Sequence, residues 1–170
     1  MKLAIDLGGT NIRIAQVAEG KCLKRNSVAC LATQDVDVIL TQLFELIEPM
    51  IGETVEGIGI GVPSIVDTVH GIVYDAMNIA SRKEAHLKEL LEEKFGLPVA
   101  GNNDSNCFAL GESLFGSGRL YENMVGITIG TGIGLGIIIH HSLYGGGYAG
   151  AGELGALHYL VSDFDDFCCG

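Results

Sequence analysis

The 170-residue sequence predicts an α/β fold built on a mixed sheet. Residues 1–31 alternate apolar and polar positions between turn residues, a pattern typical of an antiparallel three-stranded meander. Segments with apolar residues at helical spacing then alternate with short apolar runs, so helices are expected to flank the sheet. A second strand–turn–strand pattern at residues 124–139 indicates the start of a second, similar domain.

The first turn of the meander carries the clearest signal for a binding site. The apolar residues before Asp6 and the alternation that follows predict two strands joined at Gly8 and Gly9. A turn without side chains exposes backbone N–H groups to an anion, and the hydroxyl of Thr10 adds a donor. Asp6 is placed to hold a cation through water. Taken alone, the segment is better explained as an ordinary hairpin turn.

A second turn of the same kind favours the ligand-binding interpretation. Gly130, Thr131 and Gly132 also stand between two apolar strands. Two Gly-Thr turns suggest two sides of one binding site, each offering backbone donors to a phosphate group.

The rest of the chain supplies three predicted helices and a small hairpin. The helices are one that Asp35 caps and Pro49 ends, one that a capping box at Ser81–Glu84 begins and Gly96 ends, and one that runs from Asn103 toward Phe115. A hairpin is expected near Val66 and Val73. The linker-like residues 116–118 place the domain boundary after residue 117, which predicts domains of residues 1–117 and 118–170.

Composition disfavours several classes of partner. A formal charge of −11 and a pI near 4.7 argue against nucleic acid and anionic membranes, so any phosphate is expected to be held by backbone amides and a metal. The amino terminus lacks a signal-peptide pattern, and the longest uncharged run, at 124–139, is shorter than a membrane span. Five cysteines without a C-x-x-C pair indicate reduced thiols, and we expect a cytoplasmic protein.

Five motifs resemble those of one family. They are DLGGTN at 6–11, the G-x-P of Gly61–Pro63, Asn-Asp-x-Asn at 103–106 followed by Ala109–Glu112, TIGTGIGLGI at 128–137, and AGELG at 151–155. In this order they are similar to the motifs of the ROK family of bacterial sugar kinases and sugar-responsive repressors, within the actin, sugar kinase and Hsp70 superfamily. The resemblance covers nearly the whole chain and implies a ribonuclease-H-like, actin-type fold.

The resemblance also implies a reaction, in which ATP donates its γ-phosphate to a hydroxyl of a hexose or N-acetylhexosamine. The implied nucleotide-side residues are Asp6, which would help to place Mg²⁺ through water, then Gly8, Gly9 and Thr10 on one side of the triphosphate, and Gly130, Thr131 and Gly132 on the other. Asp104 would be the general base. The implied sugar-binding residues are Asn78, Asn103, Asp104 and Glu153, to which we add His158 as a further candidate.

Some of these residues also have simpler explanations. Asp104 stands between a strand and a helix, where spacing alone favours an N-cap over catalysis. Glu153, in a glycine-rich run, would otherwise be a solvated loop residue. The five motifs together favour catalysis by Asp104 and ligand contact by Glu153 over these simpler explanations.

The sequence departs from the family pattern at the zinc site. Many members carry a His where this chain has Ala156, followed by a cluster of spaced cysteines. Here His158 lies two residues later, and the nearest thiols are the adjacent Cys168 and Cys169. Because this set makes a poor tetrahedral site, zinc is not expected.

Family members are longer than this chain, so we expect it to represent the amino-terminal part of such a protein. Without the rest of the second domain, the strands at 124–139 are expected to expose apolar surface and promote self-association, with a homodimer left open. Three functions are considered: a hexose kinase, a sugar-sensing repressor lacking its DNA-binding domain, and a non-catalytic sugar-binding protein. The acidic charge and the position of the first motif at residue 6 disfavour the repressor.

Overall fold

The computed structural model describes residues 1–31, 36–74, 84–130, 132–147 and 149–154. The strands are β1 (Lys2–Leu7), β2 (Asn11–Ala18), β3 (Lys21–Ala29), β4 (Ile58–Val62), β5 (Ile65–Asp67), β6 (Ile72–Tyr74), β7 (Glu84–Ala85), β8 (Val99–Asn103), β9 (Met124–Ile129), β10 (Ile133–Ile139) and β11 (Ser142–Leu143). The helices are α1 (Val36–Ile47), α2 (Leu87–Phe95) and α3 (Asp104–Phe115), with 3-10 turns at Glu48–Met50 and Ser117–Leu120.

The chain divides into two compact units, Met1–Asp104 and Ser105–Gly170. This division falls after the first residue of α3. The domain boundary expected after residue 117 remains a prediction.

The first unit contains a five-stranded mixed sheet in the order β3-β2-β1-β4-β8. β1 pairs antiparallel with β2, and β2 pairs antiparallel with β3, which confirms the predicted meander. β1 and β4 are parallel, as are β4 and β8. The carboxyl ends of these three parallel strands therefore meet at one edge of the sheet.

The core of the first unit lies on one face of this sheet. Alternate residues of β1 and β2 are buried there, and α1 contributes Leu43 and Ile47, both fully buried. The Nε2 of Gln16 donates to the carbonyl oxygen of Met50 at 2.8 Å. This bond ties β2 to the turn after α1, so the helix is held over the buried face of the meander.

A small antiparallel sheet, in the order β5-β6-β7, follows β4. Val66 pairs with Val73 in it, which confirms the hairpin predicted near these residues. The capping box predicted at Ser81–Glu84 is wrong in its last position, because Glu84 pairs with Tyr74 as part of β7 and α2 begins only at Leu87. Its first three residues lie outside the described part of the chain. The pairing with β6 holds the backbone of Glu84 extended, which a helical first turn would not allow.

The end of α2 agrees with the prediction. Gly96 adopts the left-handed conformation with φ of 65°, and its N–H donates to the carbonyl oxygen of Glu92 at 2.9 Å. A residue without Cβ adopts this conformation most readily, which explains why the helix stops there.

The second unit contains an antiparallel sheet in the order β11-β10-β9. One face of β9 is apolar and open: Val125, Ile127 and Ile129 are 53%, 53% and 83% exposed. This exposed surface was expected from the sequence, whereas self-association through it remains a prediction. In the described part of the chain, no helix is both long and apolar enough to cross a membrane.

Candidate functional site

The predicted site residues of the first unit gather at the carboxyl ends of β1, β4 and β8. Asp6 pairs with Gly61, and Gly61 pairs with Asn102, so the three lie in one row across the sheet. Because neighbouring strands are about 4.8 Å apart, the backbones at Asp6 and Asn102 are separated by roughly 10 Å. Gly61 places no side chain between them. Ligands of open α/β sheets bind at this edge.

The Gly8–Gly9 turn joins β1 to β2 beside this row. The N–H of Gly8 donates to the carbonyl oxygen of Asn11 at 3.0 Å, and a Cβ on Gly8 would lie 3.0 Å from the same oxygen. The tightness of the turn therefore favours glycine at position 8, but the amide of Gly8 is already used inside the turn. Gly9 and Thr10 are exposed, and their role toward a phosphate remains a prediction.

Asp6 has a partner that sequence reasoning missed. The Nη1 of Arg13 donates to the Oδ2 of Asp6 at 2.8 Å. The signal was present in the sequence, because a tight turn at residues 8–10 places position 13 opposite position 6 in an antiparallel hairpin. The expectation that backbone amides and a metal would hold a phosphate remains a prediction.

Asn103 and Asp104 lie at the end of β8 and the beginning of α3. The Nδ2 of Asn103 donates to the carbonyl oxygen of Ser64 at 3.3 Å, and its N–H donates to Asn102 Oδ1 at 2.8 Å. The first bond connects β8 to the segment that follows β4, and the second lies within β8. Asp104 is half-buried in the first turn of α3, where the helix dipole favours a carboxylate.

Ser64 is a buried residue beside Asn103. Its hydroxyl finds no hydrogen-bond partner among the described residues, and the residue is 8% exposed. Its backbone is nevertheless fixed, because its N–H donates to the carbonyl oxygen of Val62 at 2.9 Å. The carbonyl group of Ser64, which accepts the hydrogen bond from Asn103, is therefore held in place by the backbone.

The second glycine-rich turn belongs to the second unit. The N–H of Gly130 donates to the carbonyl oxygen of Gly132 at 2.9 Å, closing the turn between β9 and β10. A Cβ on Gly130 would meet no atom within 4 Å, whereas one on Gly134 would lie 1.9 Å from Ser105 Oγ. Gly130 therefore stands open in the turn, whereas Gly134 makes room for α3.

Glu153 is half-buried in the same unit and follows a constrained glycine. Gly152 has φ of 93°, and a Cβ there would lie 2.1 Å from the carbonyl oxygen of Leu135. The backbone before Glu153 thus passes directly against β10. This close approach explains why glycine precedes the acid.

Three predicted residues, Asn78, Thr131 and His158, lie outside the described part of the chain, as do Cys168 and Cys169. Within that part, no three His, Cys, Asp or Glu side chains converge on a common metal position. Mg²⁺ in kinases is bound mainly by substrate phosphates and water with one or two carboxylates, so Asp6 fits as a single contact through water. The absence of zinc remains a prediction.

A comparison with known families decides the assignment of the chain. The model of the ROK family matches residues 2–170. The chain belongs to the ROK family. Its fold is therefore the ribonuclease-H-like, actin-type fold that ROK sugar kinases share, in agreement with the mixed sheet of the first unit.

ROK proteins of known name resemble this chain along most of its length. It is 34% identical to a glucokinase from Thermotoga maritima, over 99% of this chain and 53% of the glucokinase. It is 37% identical to a xylose repressor from Caldicellulosiruptor bescii, over 81% of this chain and 35% of the repressor. The structure of a ROK glucokinase from Streptomyces griseus in complex with glucose and AMPPNP superposes with a TM-score of 0.86 at 35% identity, covering 98% of this chain and 53% of that one. The chain spans about half the length of the glucokinases it matches.

Proposed function

We propose that this chain carries the sugar-binding and catalytic residues of an ATP-dependent hexose kinase. The observation that supports this most strongly is that Asp6 near the end of β1, and Asn103 and Asp104 at the end of β8, lie at the same edge of the sheet, where only β4 separates the two strands. The glucokinase names among its ROK relatives favour the same reaction.

In the proposed reaction, Asp104 accepts the proton of a sugar hydroxyl. The oxygen of that hydroxyl attacks the γ-phosphorus of ATP, the bond from this phosphorus to the β–γ bridging oxygen breaks, and ADP leaves. A general base in reach of the hydroxyl typically contributes ~10²–10⁴-fold to such a step. Mg²⁺, when bound, would neutralise charge on the phosphates.

The remaining candidates divide between the two substrates. Asn103, whose amide is oriented by Ser64, would hydrogen-bond the sugar with Glu153, Asn78 and His158. The two glycine-rich turns would face the triphosphate. Glucose and N-acetylhexosamines are both compatible substrates, since ROK neighbours include a glucokinase bound to glucose and a protein described as an N-acetylmannosamine kinase.

A sugar-responsive regulator is the second candidate, supported by the similarity to a xylose repressor. A non-catalytic sugar-binding protein is the third. Both predict sugar binding without phosphate transfer, so turnover separates them from the kinase.

The test has two stages. First, the chain is titrated calorimetrically with a panel of hexoses, with and without Mg-ATP, and saturable binding of one sugar is expected. Second, because this chain spans about half the length of its glucokinase relatives and need not be active by itself, sugar phosphate is followed by ³¹P NMR in a full-length context, where Asp104→Asn should retain sugar affinity and lose transfer. Asp37→Asn is the matched control, because it makes the same change in the first turn of α1.

Each outcome separates the candidates. Unchanged transfer by Asp104→Asn would exclude Asp104 as the base. Sugar binding without transfer in the full-length context would favour the regulator or the non-catalytic protein. If no sugar binds to the folded chain, the sugar-binding assignment of Asn103 and Asp104 is wrong.

A further inference from the structure

β3 forms one edge of the five-stranded sheet. It stands last in the order β3-β2-β1-β4-β8, so within the described part of the chain its outer side has no neighbouring strand. Eight of its nine residues are exposed, and Val28 is half-buried. An open edge of this kind presents a row of N–H and C=O groups to which a further strand can pair.

The side chains of β3 are basic in a chain that is acidic overall. Lys21, Lys24 and Arg25 lie within five residues, and β3 contains no aspartate or glutamate. The whole chain has 21 acidic residues against 10 lysines and arginines. Among the described residues these three cations form no ion pair, whereas Lys2 and Arg13 are each paired with a carboxylate. β3 therefore carries positive charge that no described carboxylate neutralises at close range.

A bulge in β3 adds an apolar side chain to this edge. The register shifts between Gln16 and Val17, whose partners in β3 are Lys24 and Cys22. Leu23 is therefore the extra residue of the irregular register. Bulges re-aim side chains, and Leu23 is 60% exposed. The edge thus combines an exposed apolar side chain with cations on both sides of it in sequence.

Charged side chains and bulges commonly protect an edge from pairing with copies of itself. This explanation accounts for the lysines, because two β3 strands would bring like charges together. The same charges attract a strand of opposite sign, and the exposed leucine offers that strand an apolar contact, which protection alone does not require. A nucleic acid is less suited, because its backbone would extend beyond β3 across a chain with a formal charge of −11. Charge complementarity therefore favours an acidic protein segment.

We propose that β3 is a docking edge for a partner protein that presents an acidic segment in extended conformation. The segment pairs with the backbone of β3 as an added strand. Neighbouring strand residues point to opposite faces, so acids at adjacent positions of the segment meet Lys24 on one face and Arg25 on the other. An apolar residue of the segment contacts Leu23.

This inference does not depend on the proposed kinase function. β3 and β8 are the two opposite edges of the sheet, roughly 19 Å apart across the strands. A segment that docks on β3 therefore leaves the residues at the end of β8 uncovered, and the hexose titration answers separately whether the proposed function holds.

The probe is an acidic peptide of sequence TVDELEVT with blocked ends. Its dissociation constant is measured by NMR titration for the chain, for the double variant Lys24→Gln, Arg25→Gln, and for a matched control. The control, Lys2→Gln with Lys94→Gln, also removes two positive charges, from exposed positions on β1 and α2. The β3 variant should bind the peptide about three- to tenfold more weakly, the range expected when two exposed ion pairs are lost. The control should bind it like the unmodified chain.

Two further measurements distinguish docking from a change in stability. The charge-reversed variant Lys24→Glu, Arg25→Glu should lose the acidic peptide and bind the basic peptide TVKKLKVT instead, with an unchanged thermal midpoint. Amide hydrogen exchange of β3 should slow when the acidic peptide is bound to the unmodified chain. The same acidic peptide with N-methylated backbone amides should bind more weakly, because main-chain hydrogen bonds supply much of the affinity of an added strand.

The proposal is overturned if the Lys24→Gln, Arg25→Gln variant binds the acidic peptide as tightly as the unmodified chain. It is also overturned if the unmodified chain shows no saturable binding of this peptide. Equal binding of the N-methylated peptide would exclude strand pairing. Binding of polyuridylate at least as tight as that of the peptide, with the same dependence on Lys24 and Arg25, would assign the edge to nucleic acid instead.

Discussion

A methyl group on Gly136 would lie 2.5 Å from the Cβ of Ala109. It would also lie 2.7 Å from the carbonyl oxygen of Ser105, so α3 rests directly on the backbone of β10. On the neighbouring strand, a methyl group on Gly126 would come within 2.9 Å of the same Cβ. Gly126 and Gly136 therefore allow α3 to pack closely on β9 and β10, whereas Gly130 stands in open space at the turn.

Gly136→Ala is therefore expected to destabilise the chain. Overpacking of this kind costs about 1–3 kcal/mol, because backbone atoms of α3 cannot move aside as a flexible side chain would. Urea unfolding of Gly136→Ala and of the control Gly130→Ala measures the effect. The control should change the free energy of unfolding by less than about 0.5 kcal/mol. Equal stability of the two variants would show that α3 does not pack closely on β10.

Substitution of two other glycines by alanine should change the stability of the chain in opposite directions. Gly111 lies inside α3, and a Cβ there would meet no atom within 4 Å. Gly111→Ala should stabilise the chain by about 0.5–1 kcal/mol, because alanine loses less conformational entropy in a helix. Gly96→Ala should destabilise it by about 1–2 kcal/mol, because Gly96 has φ of 65°. Thermal unfolding of both variants tests the pair, and a shift of the same sign in both would contradict this account.

Asp67 should make the hairpin of β5 and β6 sensitive to acid. Hydrogen bonds from the backbone N–H and side chain of His70 hold the pKa of Asp67 below its ordinary value of 3.8. A lowered pKa in the folded state means that the stabilisation is complete above the unfolded pKa and is lost as pH falls through the folded pKa. Asp67→Ala should therefore lower the thermal midpoint at neutral pH, and the difference should shrink below a pH of about 4.

Asp67→Asn provides the control for this titration. An amide oxygen can still accept from the N–H groups of Val69 and His70, which bond to Asp67 Oδ1 at 2.9 and 3.0 Å. This variant should keep most of the stability without the acid transition. A difference between Asp67→Ala and the unmodified chain that is independent of pH would contradict the role of the carboxylate.

The exposed face of β9 should promote self-association of this chain. Ile127 and Ile129 project from this face, and contiguous apolar surface of this kind favours association. Light scattering after size-exclusion chromatography should show a mass above that of one chain, rising with concentration. The double variant Ile127→Lys, Ile129→Lys should approach the monomer mass. Leu23→Lys, at a position that is 60% exposed on β3, should not. A concentration-independent monomer would contradict this prediction.

Local patterns in the sequence were sufficient for most of the elements. The alternation around Gly8 and Gly9 predicted β1 and β2, a hairpin was predicted near Val66 and Val73, and Gly96 ends α2 as expected. These signals work because side-chain alternation and turn conformations depend on a few neighbouring residues. The order of the five motifs then indicated the ROK family.

Long-range pairing decided what the local patterns could not. Glu84 follows the sequence signature of a helix start, yet it lies in a strand because β6 offers its backbone a partner. The bond from Arg13 to Asp6 depends on the register of the hairpin.

The sequence by itself determined most of the strands and turns and indicated the candidate residues. Only the tertiary structure brought Asp6, Gly61 and Asn102 into one row, and only the packing of α3 showed that Gly136 is required by Ala109. The physical reason is that β1, β4 and β8 are far apart in the chain. Their pairing follows from burying one common face of the sheet, and it cannot be read from any short stretch of sequence.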